Sequence, residues 1–212
     1  MSDQDRPVTW DLRAPVVAFS DGACIHNGKP NAVASFSAVV IGAQFALTAI
    51  YGKVPSVKYT DSMKLTHEPI MPSNNRGEVL GIIYVFLTLL HGRAAGHVEI
   101  WSDSLITVNT LNKWLPARIQ KNTAHELKNY DLLMIAWKLL LELRTKTTSV
   151  TIGHTRSHEP APHKNSSIKE QIIWKGNHTA DKYASRALTS ALEIDAYGPA
   201  SICQAVMRNM NT

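Results

Sequence analysis

The sequence predicts one α/β domain, in which a mixed β-sheet is flanked by helices. Its apolar segments follow the order three strands, helix, strand, helices, strand, helix, which is typical of a mixed sheet covered by helices. Of the 212 residues, 44% are hydrophobic and 18% are charged, which suits a globular domain with a substantial core and excludes a largely disordered chain. No internal repeat or linker-like tract divides the chain. We therefore expect an N-terminal arm over residues 1–14, one folded domain over 15–192 and a C-terminal tail over 193–212.

The first three elements are short apolar segments rich in β-forming residues. Residues 14–20 end at Asp21-Gly22, which predicts a buried strand followed by a turn. Residues 36–41 and 45–51 lie on either side of Gly42-Ala43, which predicts two more strands joined as a hairpin.

A long connection and a helix come next. Residues 52–73 contain three prolines and show no clear period, so we expect them to be irregular. Asn74 or Asn75 is a suitable cap for a helix that reaches His91 and ends at Gly92.

The second half of the chain supplies two more strands and the remaining helices. Residues 97–102 predict a strand, and Asp103 is expected to open a helix that runs to about Trp114 and is ended by Pro116. A basic, irregular stretch should continue to about Asn129. The remaining predicted elements are a buried helix over 131–143, a strand over 149–155, an exposed loop over 159–174 and a helix over 177–192.

Charge and cysteine content limit the functional class. The net charge of +5 and the pI near 9.2 are compatible with a polyanionic ligand but are common in other proteins. Two cysteines, Cys24 and Cys203, are too few for a disulfide framework, which favours a reducing compartment. The polar start over residues 1–11 is not a signal peptide, and the longest apolar run, 79–90, is too short to span a bilayer. We expect an intracellular protein, cytoplasmic or nuclear, without a membrane partner.

Four carboxylates stand at the predicted ends of elements: Asp21, Glu78, Asp103 and Asp181. Acids at the carboxyl ends of neighbouring strands would converge at one edge of the sheet. Such an oxygen-only cluster needs a neutralising cation and suits Mg²⁺ or Mn²⁺ better than zinc. Turn chemistry, helix capping and a solvated helix face explain each acid singly, so position alone leaves both interpretations open.

The segments around these acids carry a family resemblance. In chain order they are Ser20-Asp21-Gly22-Ala23-Cys24 with Asn27-Gly28, Asn74-Asn75-Arg76-Gly77-Glu78, Trp101-Ser102-Asp103-Ser104 and Gly176-Asn177-His178-Thr179-Ala180-Asp181. Together, over about residues 15–192, they resemble the type 1 ribonuclease H family. The resemblance implies a five-stranded mixed sheet with its first three strands antiparallel, flanked by helices.

The resemblance also implies a reaction. The four acids would hold two Mg²⁺ ions, for which Mn²⁺ can substitute, and the protein would cut the RNA strand of RNA–DNA hybrids to leave 5′-phosphate and 3′-hydroxyl ends. The family's mobile histidine, which is thought to help the product leave, corresponds to His158. The alternative for His158 is an ordinary residue of a surface loop.

Substrate-binding positions follow from the same resemblance. Three asparagines match the residues that contact 2′-hydroxyl groups, two residues match a pocket for a phosphate of the DNA strand, and one is a further backbone contact. Asparagine is also a routine turn and cap residue, which explains each of them singly. The 2′-hydroxyl contacts would be Asn27, Asn74 and Asn75. The phosphate pocket would be formed by Ser73 and Asn129, and the further backbone contact would be Ser104.

Several features depart from the family pattern. Met71 stands where a basic residue is frequent, His178 replaces the usual Glu, and 22 residues separate His158 from Asp181, about twice the usual number. The alternatives to a hybrid-specific ribonuclease are a related nuclease, such as a junction resolvase or a 3′ exonuclease, and a non-catalytic nucleic-acid-binding or structural module with the same fold. We expect a monomer by default.

Overall fold

The computed structural model describes residues 15–42 and 46–189, and these contain a five-stranded sheet, a separate hairpin and five α-helices. The predicted arm, the turn after Gly42 and the predicted tail lie outside the described residues. The strands are β1 (Val16–Ile25), β2 (Val33–Gly42), β3 (Ala46–Lys53), β4 (Val57–Tyr59), β5 (Leu65–Pro69), β6 (His97–Ser102) and β7 (Ser149–His154), and the α-helices are α1 (Asn74–His91), α2 (Leu105–Asn109), α3 (Leu115–Gln120), α4 (Tyr130–Lys146) and α5 (Ile168–Thr189).

The main sheet has the strand order β3-β2-β1-β6-β7. The first three strands pair antiparallel, whereas β6 runs parallel to β1 and β7 runs parallel to β6. Ser20, Ser102 and His154 lie side by side across the three parallel strands. The predicted α/β class with an antiparallel β1–β3 unit is confirmed, and the residues that follow these three positions meet at one edge of the sheet.

The core has two layers because helices cover both faces of the sheet. Helix α1 lies between β1 and β2 on one side and α4 on the other, which explains why it is buried almost all round. Helix α5 covers the opposite face, where Phe19 packs against Gly176. A Cβ atom at Gly176 would lie 2.1 Å from the Phe19 ring, so glycine is required for this close approach.

The first strand is longer than predicted. β1 continues through Asp21 and Gly22, which pair with Ser37 and Phe36 of β2, instead of turning there. The pairing of β1 with β2 continues to Ile25, whereas its pairing with β6 stops at Ser20. Within the described ranges, Asp21 therefore lies in β1 but has no strand partner on the β6 side.

Two further predictions were wrong for reasons of backbone hydrogen bonding. Residues 52–73 are not wholly irregular, because β4 and β5 form a short hairpin whose strands are too polar to show a period. Pro116 does not end a helix: residues 110–114 are π-helical, the Leu115 N–H donates to the Thr110 carbonyl, and α3 continues through the proline.

The ends of three helices also differ from prediction. Ser73, rather than Asn74 or Asn75, caps α1, because its Oγ accepts the Arg76 N–H at 3.3 Å. Helix α4 exposes one side, including Leu141, and is longer than residues 131–143. The predicted loop 159–174 ends at Ser167, since α5 already begins at residue 168.

Among the helices of the described ranges, none has the length and apolar character that crossing a bilayer requires.

Candidate functional site

Three of the four predicted acids meet at the sheet edge. Asp21, Glu78 and Asp103 each present a carboxylate oxygen, and these oxygens all lie within 4.8 Å of one another. Asp21 comes from β1, Asp103 follows β6 directly, and Glu78 comes from the first turns of α1. The parallel pairing of β1 with β6 therefore brings two acids together, and α1 adds the third.

Glycine brings the helix close enough to the strand. A Cβ atom at Gly22 would lie 2.5 Å from the backbone nitrogen of Glu78, and one at Gly77 would lie 2.3 Å from the Ser35 carbonyl oxygen. Both separations are shorter than real Cβ contacts allow, so the start of α1 can lie on β1 and β2 only because both positions lack a side chain.

The acid cluster is buried and electrostatically strained. Asp21 is 5% exposed and Glu78 is 3% exposed. Burial, reinforced by the nearby Asp103 and Asp181 charges, raises the pKa of Asp21 to about 8, although the Gly22 N–H donates to its Oδ1 at 2.7 Å. Burial, with the charges of Asp21 and Asp103, likewise raises the pKa of Glu78 well above its ordinary value. Burial also raises the pKa of Asp103.

The donor set fits a hard divalent cation. One oxygen of Glu78, Oε1, accepts a hydrogen bond from Asn74 Nδ2 at 3.3 Å, while its buried Oε2 has no hydrogen-bond partner among the described residues. A buried carboxylate oxygen without a partner is costly unless a cation or a proton satisfies it. Because the cluster offers only oxygen ligands, it suits Mg²⁺ or Mn²⁺.

Asp181 and His158 lie next to the cluster rather than within the three-residue group. Both line a cavity that also reaches Asp103, and the Asp181 charge raises the pKa of Asp21 and of Asp103. His158 has a left-handed backbone (φ 54°), and its charge acts to lower the pKa of Asp103. The structure thus brings these two predicted site residues to the edge of the acid cluster.

Asn27 and Asn74 form a polar link on the other side of the acids. The side-chain oxygen of Asn27 accepts the Asn74 N–H at 3.3 Å, and Asn74 in turn donates to Glu78. Asn75 follows on the same helical turn, and its side chain and that of Asn27 are exposed. Asn74 therefore contacts the acid cluster, Asn27 contacts Asn74, and Asn75 is an exposed neighbour on the same helical turn.

Ser73, Asn129 and Ser104 each have a structural partner. Ser73 caps α1, and Ser104 caps α2 by accepting the Thr107 N–H at 3.3 Å. Asn129 adopts a left-handed backbone (φ 61°) before α4, and its Oδ1 accepts from Arg76 Nη1 at 3.4 Å. These contacts are compatible with substrate binding and also explain the residues without it.

A buried ion pair that no sequence pattern predicted lies behind the site. Arg76 is fully buried, and its guanidinium donates to both carboxylate oxygens of Asp131 at 2.9 Å. Burial alone would raise the pKa of Asp131, but the hydrogen bonds and charge of Arg76 outweigh it and hold the pKa below its usual value. Arginine is seldom buried, so only the structure could identify this link between α1 and α4.

Comparisons with known proteins agree with this geometry. The sequence model of the family described as RNase H matches residues 13–189. No curated protein sequence matches the chain.

Solved structures share the fold. The solution structure of the prototype foamy virus RNase H domain is 21% identical, with a TM-score of 0.52 over 82% of this chain and 93% of that one. The native prototype foamy virus protease–reverse transcriptase is 21% identical, with a TM-score of 0.55 over 88% of this chain. A foamy viral protease–reverse transcriptase solved with an RNA/DNA hybrid is 15% identical, with a TM-score of 0.58 over 89% of this chain. The chain spans 22% of the length of each of these two larger proteins.

Proposed function

The chain belongs to the RNase H family, and from that premise we propose that it is a metal-dependent endoribonuclease that hydrolyses the RNA strand of RNA–DNA hybrids and leaves 5′-phosphate and 3′-hydroxyl ends. The observation that carries the proposal is the acid cluster, in which Asp21 and Glu78 are buried and Asp103 is half-buried. One of its carboxylate oxygens, Glu78 Oε2, has no partner among the described residues. A binding module without chemistry has no need to hold mutually repelling acids in its interior.

Asp21, Glu78 and Asp103 would hold the divalent cations, with Asp181 as a further ligand at the edge of the cluster. When bound, two such ions activate the attacking water and stabilise the leaving oxygen of a phosphodiester. The protein's own contribution is to fix the ligands: the Gly22 N–H holds Asp21, and the Asn74 amide holds Glu78.

His158 would act on the product side of the reaction. It lines the same cavity as Asp103 and Asp181 and stands on the loop that follows β7. Its place on a loop outside the sheet suits the proposed role of helping the product leave.

The position of the asparagines supports an RNA–DNA hybrid as the substrate. The Asn74 amide contacts Glu78, and the Asn27 side chain contacts the Asn74 backbone. We propose that these two and the neighbouring Asn75 contact 2′-hydroxyl groups, since reading a 2′-hydroxyl requires neutral donors and acceptors. One of the structural neighbours was solved with an RNA/DNA hybrid.

The second strand of the hybrid would lie farther along the start of α1. Arg76 contacts Ser73 through its backbone N–H and Asn129 through its guanidinium, and we propose Ser73 and Asn129 as ligands of a DNA-strand phosphate. Ser104, beside Asp103, is proposed to contact the backbone of the cleaved strand.

A substrate panel tests this function. Labelled RNA–DNA hybrid, duplex RNA, duplex DNA and a four-way junction are each incubated with the protein in Mg²⁺, Mn²⁺ or EDTA. We expect only the hybrid to be cut, in its RNA strand and only with a metal ion. Cleavage of the junction or of duplex DNA would instead identify a related nuclease, and binding without cleavage of any substrate would identify a non-catalytic module.

A further inference from the structure

A cavity opens beside the acids, between the loop after β7 and the first turns of α5. Its volume is about 270 Å³. Asp103 and Asp181 line it on the side of the acid cluster, and Pro160 and Pro162 line the loop side. We call it the loop cavity. None of the functions proposed above uses its far wall.

That far wall carries a fixed aromatic pair. Trp174 and His178 lie one turn apart on α5, and their rings stack with centroids 5.2 Å apart and planes inclined by 4°. The Trp174 indole N–H donates to the Glu159 carbonyl at 2.9 Å, which holds the indole in place and ties the loop to the helix. A rigid aromatic surface therefore borders the cavity without further rearrangement.

A buried acceptor lies beside this pair. Asn177 lines the cavity, is only 7% exposed, and its Oδ1 has no hydrogen-bond partner among the described residues. A buried polar atom without a partner among the described residues is uncommon and calls for a hydrogen-bond donor.

The charges around the cavity favour a neutral ligand over an anion. Arg156 is exposed and already paired with Glu159 at 3.3 Å, and Glu170 stands on the same wall as the aromatic pair. With Asp103 and Asp181 added, a free phosphate group would meet more acids than bases in the metal-free protein. A planar, uncharged group avoids this repulsion.

We propose that the loop cavity binds one nucleobase of the RNA strand at the end produced by the cut, stacked on the Trp174–His178 pair. The proposal rests on the ribonuclease function, since the acids at the mouth of the cavity place it beside the cleaved bond. Every base has a face that stacks on aromatic side chains. The volume is at the small end for ligand sites and suits a single base or nucleoside. A base paired with the DNA strand cannot enter, so the end nucleotide of the cut RNA strand must separate from its DNA partner before it binds.

Adenosine tests the cavity without phosphate and without metal. The full chain, isotopically labelled and held in EDTA, is titrated with adenosine while the indole N–H signals of its five tryptophans are followed by NMR. The Trp174 signal is identified as the one absent from Trp174→Phe. We expect a saturable shift of this signal with adenosine and none with ribose.

Variants separate stacking from folding. Trp174→Leu should weaken adenosine binding roughly 5- to 150-fold, the range that loss of one base–aromatic stack gives. Trp174→Phe, which keeps an aromatic ring, should bind within about threefold of the wild type, as measured by calorimetry. Trp137→Phe, on α4 and packed against the core, is the matched control and should bind as the wild type does.

Two results would overturn the inference: no saturable shift up to the solubility of adenosine, or equal adenosine affinity in Trp174→Leu and the wild type. Hybrid cleavage in Mg²⁺ by the same wild-type sample is scored separately. Adenosine bound at Trp174 supports the cavity site whether or not the hybrid is cut, and cleavage without adenosine binding contradicts the inference while leaving the ribonuclease proposal intact.

Discussion

At the scale of single residues, the acid cluster lowers the stability of the metal-free folded state while it provides ligands for a cation. Asp21, Glu78 and Asp103 lie close together where little water reaches them. Burial, together with the charges of neighbouring acids, raises the pKa of each. In the absence of a cation, one or more of them must be protonated or must repel its neighbours when the chain folds. Removing one acid should therefore stabilise the metal-free protein even as it destroys the site.

Asp21→Asn should raise the melting temperature of the metal-free protein, and the gain should grow from pH 5 to pH 8. The folded pKa of Asp21, about 8, lies above the ordinary value of 3.8, so the folded state holds the proton longer and wild-type stability falls as pH rises through this window. Thermal unfolding in EDTA measures this, with a gain of roughly 4 °C or more expected at pH 8. The same dependence on pH in both proteins would contradict the burial argument.

His158→Ala should slow turnover more than it slows chemistry. Because His158 lines the cavity beside Asp103 and is proposed to help the product leave, multiple-turnover cleavage should fall roughly tenfold or more while the single-turnover rate falls less. His163→Ala, an exposed residue of the same loop, is the control. Equal losses in both regimes would place His158 in the chemical step instead.

At the scale of elements, the Arg76–Asp131 pair fixes how α1 sits against α4. Asp131 accepts both guanidinium hydrogen bonds and also the Tyr59 N–H at 3.2 Å, so one carboxylate joins two helices and the β4–β5 hairpin. Arg76 also holds Asn129 and lies two residues before Glu78, which connects the ion pair to the acid cluster through a single helical turn.

Asp131→Asn should destabilise the fold by about 3–5 kcal/mol, because it leaves the buried Arg76 guanidinium without its counter-charge. The control is Glu142→Gln, which breaks a partly exposed pair with Lys146 on the same helix and should cost less than about 1 kcal/mol. Denaturant unfolding at neutral pH compares the two. Similar losses of unfolding free energy in both variants would mean that the buried pair stabilises the fold no more than the Glu142–Lys146 pair does.

Helices and strands could be predicted from the sequence where a segment carries a long apolar run or a clear hydrophobic period. The α1 helix and strands β6 and β7 lie within a residue or two of their predicted limits, because each carries a clear period or apolar run. The start of α5 was missed although Ser167 and Glu170 form a reciprocal cap, with the Ser167 N–H donating to Glu170 at 2.8 Å. That pattern is visible in the sequence, whereas the π-helical turn that admits Pro116 depends on the tertiary fold.

At the scale of the whole molecule, the parallel pair β1–β6 and the start of α1 place a cluster of acids on a protein whose net charge is positive. The chain carries 22 Lys and Arg against 17 Asp and Glu, so its remaining surface is more basic than the net charge of +5 shows. A polyanionic duplex would be drawn to that surface, while cations neutralise the acids where the cut is made.

The order of motifs predicted which acids converge, but not that Asp181 stands beside the three-residue group, since that depends on where α5 crosses the sheet.

A hybrid whose RNA strand carries 2′-O-methyl groups around the cut should resist cleavage. The methyl group removes the hydroxyl donor and crowds the groove that Asn27, Asn74 and Asn75 are proposed to contact. Cleavage is followed on labelled strands, with the unmodified hybrid as control. Equal rates for both substrates would remove the case for these asparagines as 2′-hydroxyl ligands.

The most direct test of the proposed metal-dependent cleavage is the rate of hybrid hydrolysis by Asp103→Asn in Mg²⁺. Asp61→Asn, which alters an exposed carboxylate in the β4–β5 turn, is the matched control. If Asp103 holds the catalytic cations, its variant should cut the RNA strand at less than about one hundredth of the wild-type rate, while the control cuts normally and leaves 5′-phosphate ends. Retention of more than about a tenth of the wild-type rate by Asp103→Asn would contradict the proposed metal site.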